Sequence, residues 1–398
     1  MAFNWILGEK FDYEHPHHGS MKDLWEKKWG PLSEKSVWPF TGGNHDDFQR
    51  VFDELIKKEV NDPTSDDYTK AFTPVVKDLL QQAENAEEQQ AVQLYSRASA
   101  LLRISRFPHV GPNSLGVKKQ ALDLQNQIFL KGAALMDPPI REVKIPHIRR
   151  SGKDGDAIPV LLRLTKKGNA DELTPLVIIF TGLDGYRADN AYQSDALVEF
   201  GWSTILCEIP GTGDCPAEPI DPQSPDRIWT SLLEWIEKEN KNMRFDLRRI
   251  AVWGLSAGGY YAARIAHTHH ERLLGAVAQG AGTHHFLRRD WLEKASGHEY
   301  PFDVVPPFAA KCGFDNAEDF LTRGMDLFSL VKNGITDMPS CKLLMLNGVD
   351  DGLVPIEDSI EMLKHGSPKE ARFFPGYAHM GGPESFPTIH AWLKNLLR

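Results

Sequence analysis

The chain has 398 residues, 41% of them hydrophobic, and a formal net charge of -10, enough for one large or two medium globular units with a sizeable core. Acidic charge is in excess and no concentrated basic stripe occurs, which excludes nucleic acid as a partner class; no apolar run is long enough to span a bilayer. Four cysteines (Cys207, Cys215, Cys312, Cys341) in so long a chain do not make a disulfide framework.

The stretch Met1 to Asp12 lacks a basic start followed by an apolar segment, so no secretory signal is expected. The expected location is cytoplasmic, or vesicle- or endosome-associated without a visible leader. Residues 1–140 read as a helical region. Trp5, Trp25, Trp29, Trp38, Phe40 and Phe48 stand among polar residues as irregular aromatic packing, mixed with a helix from about Asp46 to Lys58. Residues 68–106 and 115–136 read as helices: Leu79, Leu80, Ala83, Leu94, Ala98, Leu101 and Leu102 recur at helical spacing, and Pro108 and Pro112 punctuate the join.

From about residue 141 strands alternate with helices, the pattern of an α/β unit (141–398) with a mostly parallel eight-stranded sheet covered on both faces. Strands are expected near 142–147, 158–164, 175–181, 202–208, 249–254, 274–279, 341–347 and 370–375, and helices near 189–200, 225–240, 256–268, 357–365 and 383–397. Leu176 to Phe180 is an apolar run typical of a buried parallel strand, and it ends in Thr181-Gly182-Leu183-Asp184-Gly185-Tyr186.

Further on, Ile250-Ala251-Val252-Trp253 runs through Gly254-Leu255-Ser256-Ala257-Gly258 into an Ala-rich helix. This is a nucleophile elbow: Ser256 sits on a turn sharp enough to lift its hydroxyl clear of the sheet, and only small residues at 254 and 258 let strand and helix pass so closely. The amide of Ala257 at the helix start, with one near Leu183, is a candidate oxyanion donor. A plain turn at Asp184-Gly185 is the alternative for the second position.

About sixty residues, 281–340, separate the sixth strand from Cys341, far more than a crossover needs. They carry Trp291, Tyr300, Phe302, Pro306, Pro307, Phe308 and Phe320. Such an insertion is placed to act as a lid and line an apolar pocket over the serine, or to bury its aromatics as its own core.

A serine hydroxyl needs a histidine base, and the histidine needs an acid to fix its tautomer, in the chain order Ser, acid, His. The loop after strand 341–347 offers Asp350 and Asp351. The spacing Gly348-x-x-Asp-x-x-Val354-Pro355 selects Asp351, with Asp350 as the fallback. The last strand leads into Gly376-Tyr377-Ala378-His379, which places His379 where the base belongs. His284 and His285, or His267, His269 and His270, lack the regular spacing of metal ligands, so no metal is expected.

Together the tryptophan-rich start, Leu94-Tyr95-Ser96-Arg97-Ala98, Thr181-Gly182-Leu183-Asp184-Gly185, Ile209-Pro210-Gly211-Thr212-Gly213, the elbow and Gly376-Tyr377-Ala378-His379 give the chain a family look. It resembles α/β-hydrolases with a helical amino-terminal region, near the 2,6-dihydropseudooxynicotine hydrolase type and especially the fungal yellowish-green heptaketide hydrolyases of melanin biosynthesis. The resemblance implies a cofactor-free Ser256–Asp351–His379 triad, a homodimer, an amino-terminal lid, and hydrolysis of a carbon–carbon bond in an aromatic polyketide with release of an acetoacetate-like fragment. A carboxylesterase or thioesterase with the same triad is the alternative.

Overall fold

A computed structural model describes residues 3–167 and 172–398; Met1 and Ala2, where the expectation about a leader begins, lie outside the described residues. Eight strands form one sheet: β1 (Ile140–Pro146), β2 (Ala157–Arg163), β3 (Thr174–Phe180), β4 (Ser203–Cys207), β5 (Phe245–Leu255), β6 (Gly275–Gln279), β7 (Lys342–Gly348) and β8 (Glu370–Phe374). Their order across the sheet is β1-β2-β4-β3-β5-β6-β7-β8. β2 pairs antiparallel with both neighbours, and every pair from β4 to β8 is parallel. This is the α/β-hydrolase fold.

The strands read as unbroken apolar runs because both faces are covered. In β3, Leu176, Ile178 and Phe180 join one core while Val177 and Ile179 join another on the opposite face, as the two-residue period of a strand requires. The first core packs against the helices Ser224–Met243 and Ala257–Thr268, with Phe180 stacked on Trp229 at 4.2 Å. The second packs against the helix Ser385–Leu396 through Ile389 and Leu393. The run expected as one helix near 189–200 is two short ones, Arg187–Asn190 and Gln193–Glu199.

A third core belongs to the amino-terminal helices His45–Lys57, Asp66–Ala71, Thr73–Glu84, Glu88–Ser105 and Val117–Ala133. Trp25 and Trp29 are part of it, on a π-helical turn rather than irregular chain, and Trp25 stacks on Phe52 at 4.3 Å, whereas Trp5 and Trp38 lie outside it in non-helical chain. A buried polar joint ties these helices to the loop after β3. Arg103 and Arg106 both pair with Asp189, which also accepts the amide N–H of Tyr186 at 2.8 Å. Arg106 donates to the Asp184 carbonyl at 2.8 Å and lies over the Tyr186 ring at 4.0 Å. Burial alone raises the Asp189 carboxyl, but Arg106 and Arg103 outweigh it and hold the group below its ordinary value.

The insertion after β6 carries the helices Arg289–Ala295, Val305–Lys311 and Ala317–Phe328. Its aromatics divide. Trp291 and Phe320 are core, Trp291 lying 4.6 Å from Trp5 and donating to the Leu353 carbonyl at 2.8 Å. Phe302 packs against Trp29 of the helical region at 5.4 Å. Tyr300 and Phe308 face the interior cavity. Residues 3–19 cross this insertion as a strap: the His15 amide donates to the Gly297 carbonyl at 2.9 Å, and the Ile6 amide reaches the Glu357 carboxylate at 2.5 Å.

Candidate active site

β5 ends at Leu255 and the next helix begins at Ala257, leaving Ser256 between them at φ 53, ψ −118. A non-glycine residue held there costs about 1–3 kcal/mol of backbone strain, sustained by tight packing on both sides. A Cβ on Gly258 would stand 2.3 Å from the Thr181 carbonyl oxygen, and one on Gly254 would stand 2.1 Å from that of Gly258. Both positions therefore exclude any side chain.

Ser256 Oγ lies 2.7 Å from His379 Nε2, and His379 Nδ1 lies 2.7 Å from Asp351 Oδ2. The other carboxylate oxygen of Asp351 accepts the amides of Leu353 and Val354 at 2.7 and 2.9 Å, and Asn347 Nδ2 donates to Oδ2 at 2.7 Å. The structure thus brings Ser256, His379 and Asp351 into one hydrogen-bonded line. Asp350 stands apart, its side chain paired with Lys10 at 2.7 Å on the surface.

The surroundings of His379 favour its charged form. Burial disfavours the imidazolium, but the Asp351 carboxylate and its hydrogen bond, with smaller contributions from Glu299 and Asp184, raise its pKa above the ordinary histidine value. Glu299 bridges the site, accepting the amides of His379 at 3.2 Å and Gly352 at 3.1 Å. Burial and then the nearby Asp351 charge push its carboxyl up. Asp184, held by the Tyr300 hydroxyl at 3.0 Å, is also raised by burial. Neither side chain carries a local sequence signature of this role; each is brought to the histidine by distant packing.

Leu183 and Ala257 both line the space beside Ser256, and neither amide is spent on another hydrogen bond among the described residues. Ala257 opens its helix, where the first amides have no partner within the helix. The Gly182 amide donates to the Gly185 carbonyl at 3.1 Å across the bend at Leu183-Asp184.

Above the serine is a cavity of about 680 Å³, within the usual range for a small-molecule site. Its walls come from the helical region (Trp29, Trp38, Phe107) and the insertion (Phe286, Tyr300, Phe308). Among the described residues no group of three or more His, Cys, Asp or Glu is arranged to hold a metal ion. The histidines considered for one are engaged elsewhere: His267 with the Met338 carbonyl, His269 with Thr230, His284 with Ser329 and His285 with Glu361; His270 Nδ1 lies 3.1 Å from the His267 carbonyl. No helix among the described residues is long and apolar enough to cross a membrane.

The profile of the family described as FrsA-like esterases matches residues 65–369. The chain belongs to the FrsA-like family. This FrsA-like chain is 30% identical over 185 residues to the hydrolase acrC of Aspergillus aculeatus, covering 43% of the chain and 42% of that protein. It is 25% identical over 276 residues to the esterase FrsA of Serratia proteamaculans, covering 67% of the chain and 61% of that protein. The chain thus spans about four-tenths to six-tenths of the length of these relatives. Among solved structures it is similar to the 2,6-dihydroxy-pseudo-oxynicotine hydrolase, with TM-score 0.69 and 17% identity over 93% of this chain and 96% of that one. AbyA5 follows with TM-score 0.60 and 20% identity over 80% and 86%. At these identities the likeness is one of fold.

Proposed function

We propose that this FrsA-like protein is a serine hydrolase that cleaves a carbon–carbon bond in the β-dicarbonyl side chain of an aromatic polyketide. The observation that carries the reading is the Ser256–His379–Asp351 line opening directly into the apolar, aromatic-walled cavity. His379 takes the Ser256 proton as Oγ attacks a ketone carbonyl, and the tetrahedral oxyanion is held by the Ala257 and Leu183 amides, each worth about 3–4 kcal/mol of barrier reduction. The carbon–carbon bond then breaks. The electron pair leaves as a stabilised enolate, which the His379 imidazolium protonates, and an acyl group remains on Ser256. Water activated by His379 releases that group as an acid, acetoacetate-like in size. The raised pKa of His379 supports the step that differs from ester hydrolysis, because an imidazolium that persists can protonate a carbon slowly.

In this reading residues 1–140 serve as lid and dimerisation region, residues 141–398 as the catalytic unit and residues 281–340 as a second cover. The setting is a cytoplasmic or vesicular step of fungal melanin or related pigment synthesis, with a fungal hydrolase among the relatives in support. A second reading, a carboxylesterase or thioesterase with the same residues, is favoured by the family description and by the relative named an esterase.

Incubation with a heptaketide naphthopyrone, followed by mass spectrometry with Ser256→Ala as control, separates the two. A shortened hydroxynaphthalene and an acetoacetate-sized acid, both missing with the variant, support carbon–carbon hydrolysis. Unchanged naphthopyrone beside fast aryl-ester turnover supports the esterase.

A further inference from the structure

Among the described residues, the buried lysines and arginines are paired, with one exception that lines the cavity. Arg106 has Asp189, Arg187 has Asp214 and Glu142, and Arg264 has Asp226. Lys311 closes the helix Val305–Lys311, is only 5% exposed, and forms no ion pair with a carboxylate among the described residues. Its ammonium donates to the Tyr261 hydroxyl and stands 4.5 Å from the centre of the Tyr261 ring. The groups around it are Cys312, Tyr260 and Cys215, all neutral in their ordinary state, and burial pushes the lysine pKa down.

An ammonium has three N–H donors, and one is spent on Tyr261. The Tyr261 hydroxyl, accepting that bond, keeps its own O–H to give and has no acceptor among the described residues. Two N–H donors and one O–H are therefore unspent in a space walled mostly by carbon. Keeping a charge there without a partner is costly, and the position is rigidly built. The Lys311 carbonyl oxygen lies where a Cβ on Gly211 would be, at 1.7 Å, so the Ile209–Gly213 loop packs against the lysine backbone with no room for a side chain. That loop is itself fastened to the helical region: Gly211 O faces His109 Nε2 at 2.8 Å, and the Gly213 amide donates to the Val110 carbonyl at 2.8 Å. Tyr261 lies on the helix that begins just after Ser256, so the nucleophile and the Tyr261 O–H are held by one rigid element beside the cavity that Lys311 also lines.

We infer that Lys311 and Tyr261 form an anion subsite that receives an acidic oxygen of the substrate, an enolate, phenolate or carboxylate, while the carbonyl under attack lies at Ser256. The ligand oxygen supplies the counter-charge the lysine lacks, and the surrounding rings make that pairing strong by excluding water. The subsite rests on the cavity being the substrate site, and holds whether the bond cleaved is carbon–carbon or ester.

The test uses full-length Ser256→Ala protein, so that binding is read without turnover, and three matched pairs of probes. These are 1,3-dihydroxynaphthalene with its dimethyl ether, 2-naphthoate with 2-naphthamide, and 1-phenylbutane-1,3-dione with its non-enolisable 2,2-dimethyl derivative. Calorimetric titration should show at least one acidic member binding about tenfold or more tighter than its neutral twin. The pair with the largest preference names the oxygen. Adding Lys311→Met should abolish that preference. Equal affinities within all three pairs, or a preference that survives Lys311→Met, overturn the subsite.

Should Lys311→Met fail to fold, the difference absorption spectrum of bound 1,3-dihydroxynaphthalene decides. Phenolate absorption at a pH where the free ligand is neutral is expected, and a neutral-phenol spectrum together with equal affinities overturns the proposal. Fluorophosphonate labelling of Ser256 in the unsubstituted protein is read in parallel. Labelling with no anion preference sinks the subsite alone, and no labelling of folded protein sinks the serine-hydrolase reading.

Discussion

Replacing Asp351 and Asp350 in turn by asparagine should give opposite results from adjacent positions. In Asp351→Asn the amide oxygen can keep the Leu353 and Val354 amides that now bind Oδ1. The amide nitrogen then replaces Oδ2, which at present accepts from both Asn347 Nδ2 and His379 Nδ1. One NH2 group would meet the Asn347 NH2 and donate to His379 Nδ1, forcing the ring proton onto Nε2. An Nε2–H cannot take the Ser256 proton. The loss expected for the wrong tautomer with geometry retained is about 10⁴-fold in kcat, or about 5.4 kcal/mol. Asp350→Asn removes only the pair with Lys10, whose side chains are 29% and 62% exposed. Such a pair is worth about 0–1 kcal/mol, so turnover should change by less than about fivefold. Aryl-ester turnover and the rate of fluorophosphonate labelling, measured on both purified variants with matching circular dichroism, read the difference. Equal losses, or a larger loss at 350, would refute the assignment of the acid.

Arg106→Met leaves Asp189 with Arg103 as its one charged partner among the described residues. It should cost about 3–5 kcal/mol in urea unfolding and lower kcat by loosening the Asp184 turn; a loss under 1 kcal/mol would contradict the joint described here. Because the pKa of His379 is raised in the folded protein, the proton stays on to higher pH, and the base form needed for attack appears later. The acid limb of kcat/KM should therefore lie above the ordinary value of about 6.5, and a limb below it would show the carboxylates do not govern the ring. Gly258→Ala puts a methyl 2.3 Å from the Thr181 carbonyl and should cost about 3 kcal/mol or more, read as a lost folded yield or a shifted denaturation midpoint.

The sheet was legible because its strands are local signals. β3 and the part of β5 from Ile250 to Leu255 are buried on both faces and read as apolar runs bounded by turn residues, whatever surrounds them. The elbow was legible for a related reason, since Gly254 and Gly258 answer a steric demand confined to a few residues. The choice between Asp350 and Asp351 rested on spacing, and the geometry separates the two by their partners. Arg106, Glu299 and Lys311 were illegible, because what distinguishes them lies far away in the chain. Arg106 acquires its role 78 residues from Asp184 and Glu299 acquires its own 80 residues from His379. Lys311 is distinguished by having no carboxylate partner among the described residues, which no pattern in a single chain announces. The aromatics of the insertion divided between core and cavity for the same reason: Trp291 is claimed by Trp5, from the other end of the chain.

The strap formed by residues 3–19 also dictates when the site can exist. The ring of His298 contacts the Phe11 carbonyl at 2.9 Å and the Gly352 carbonyl at 2.7 Å, tying the loop that carries Asp351 to the strap. The Ile6–Glu357 bond spans 351 positions. Contacts so distant in sequence carry a large loop-closure entropy and form late, after the shorter-range sheet and helices have condensed. The acid loop is therefore clamped only once residues 6–11 and 352–357 have been brought together, and Ser256, which lies between them in sequence, stands in an unassembled site until then.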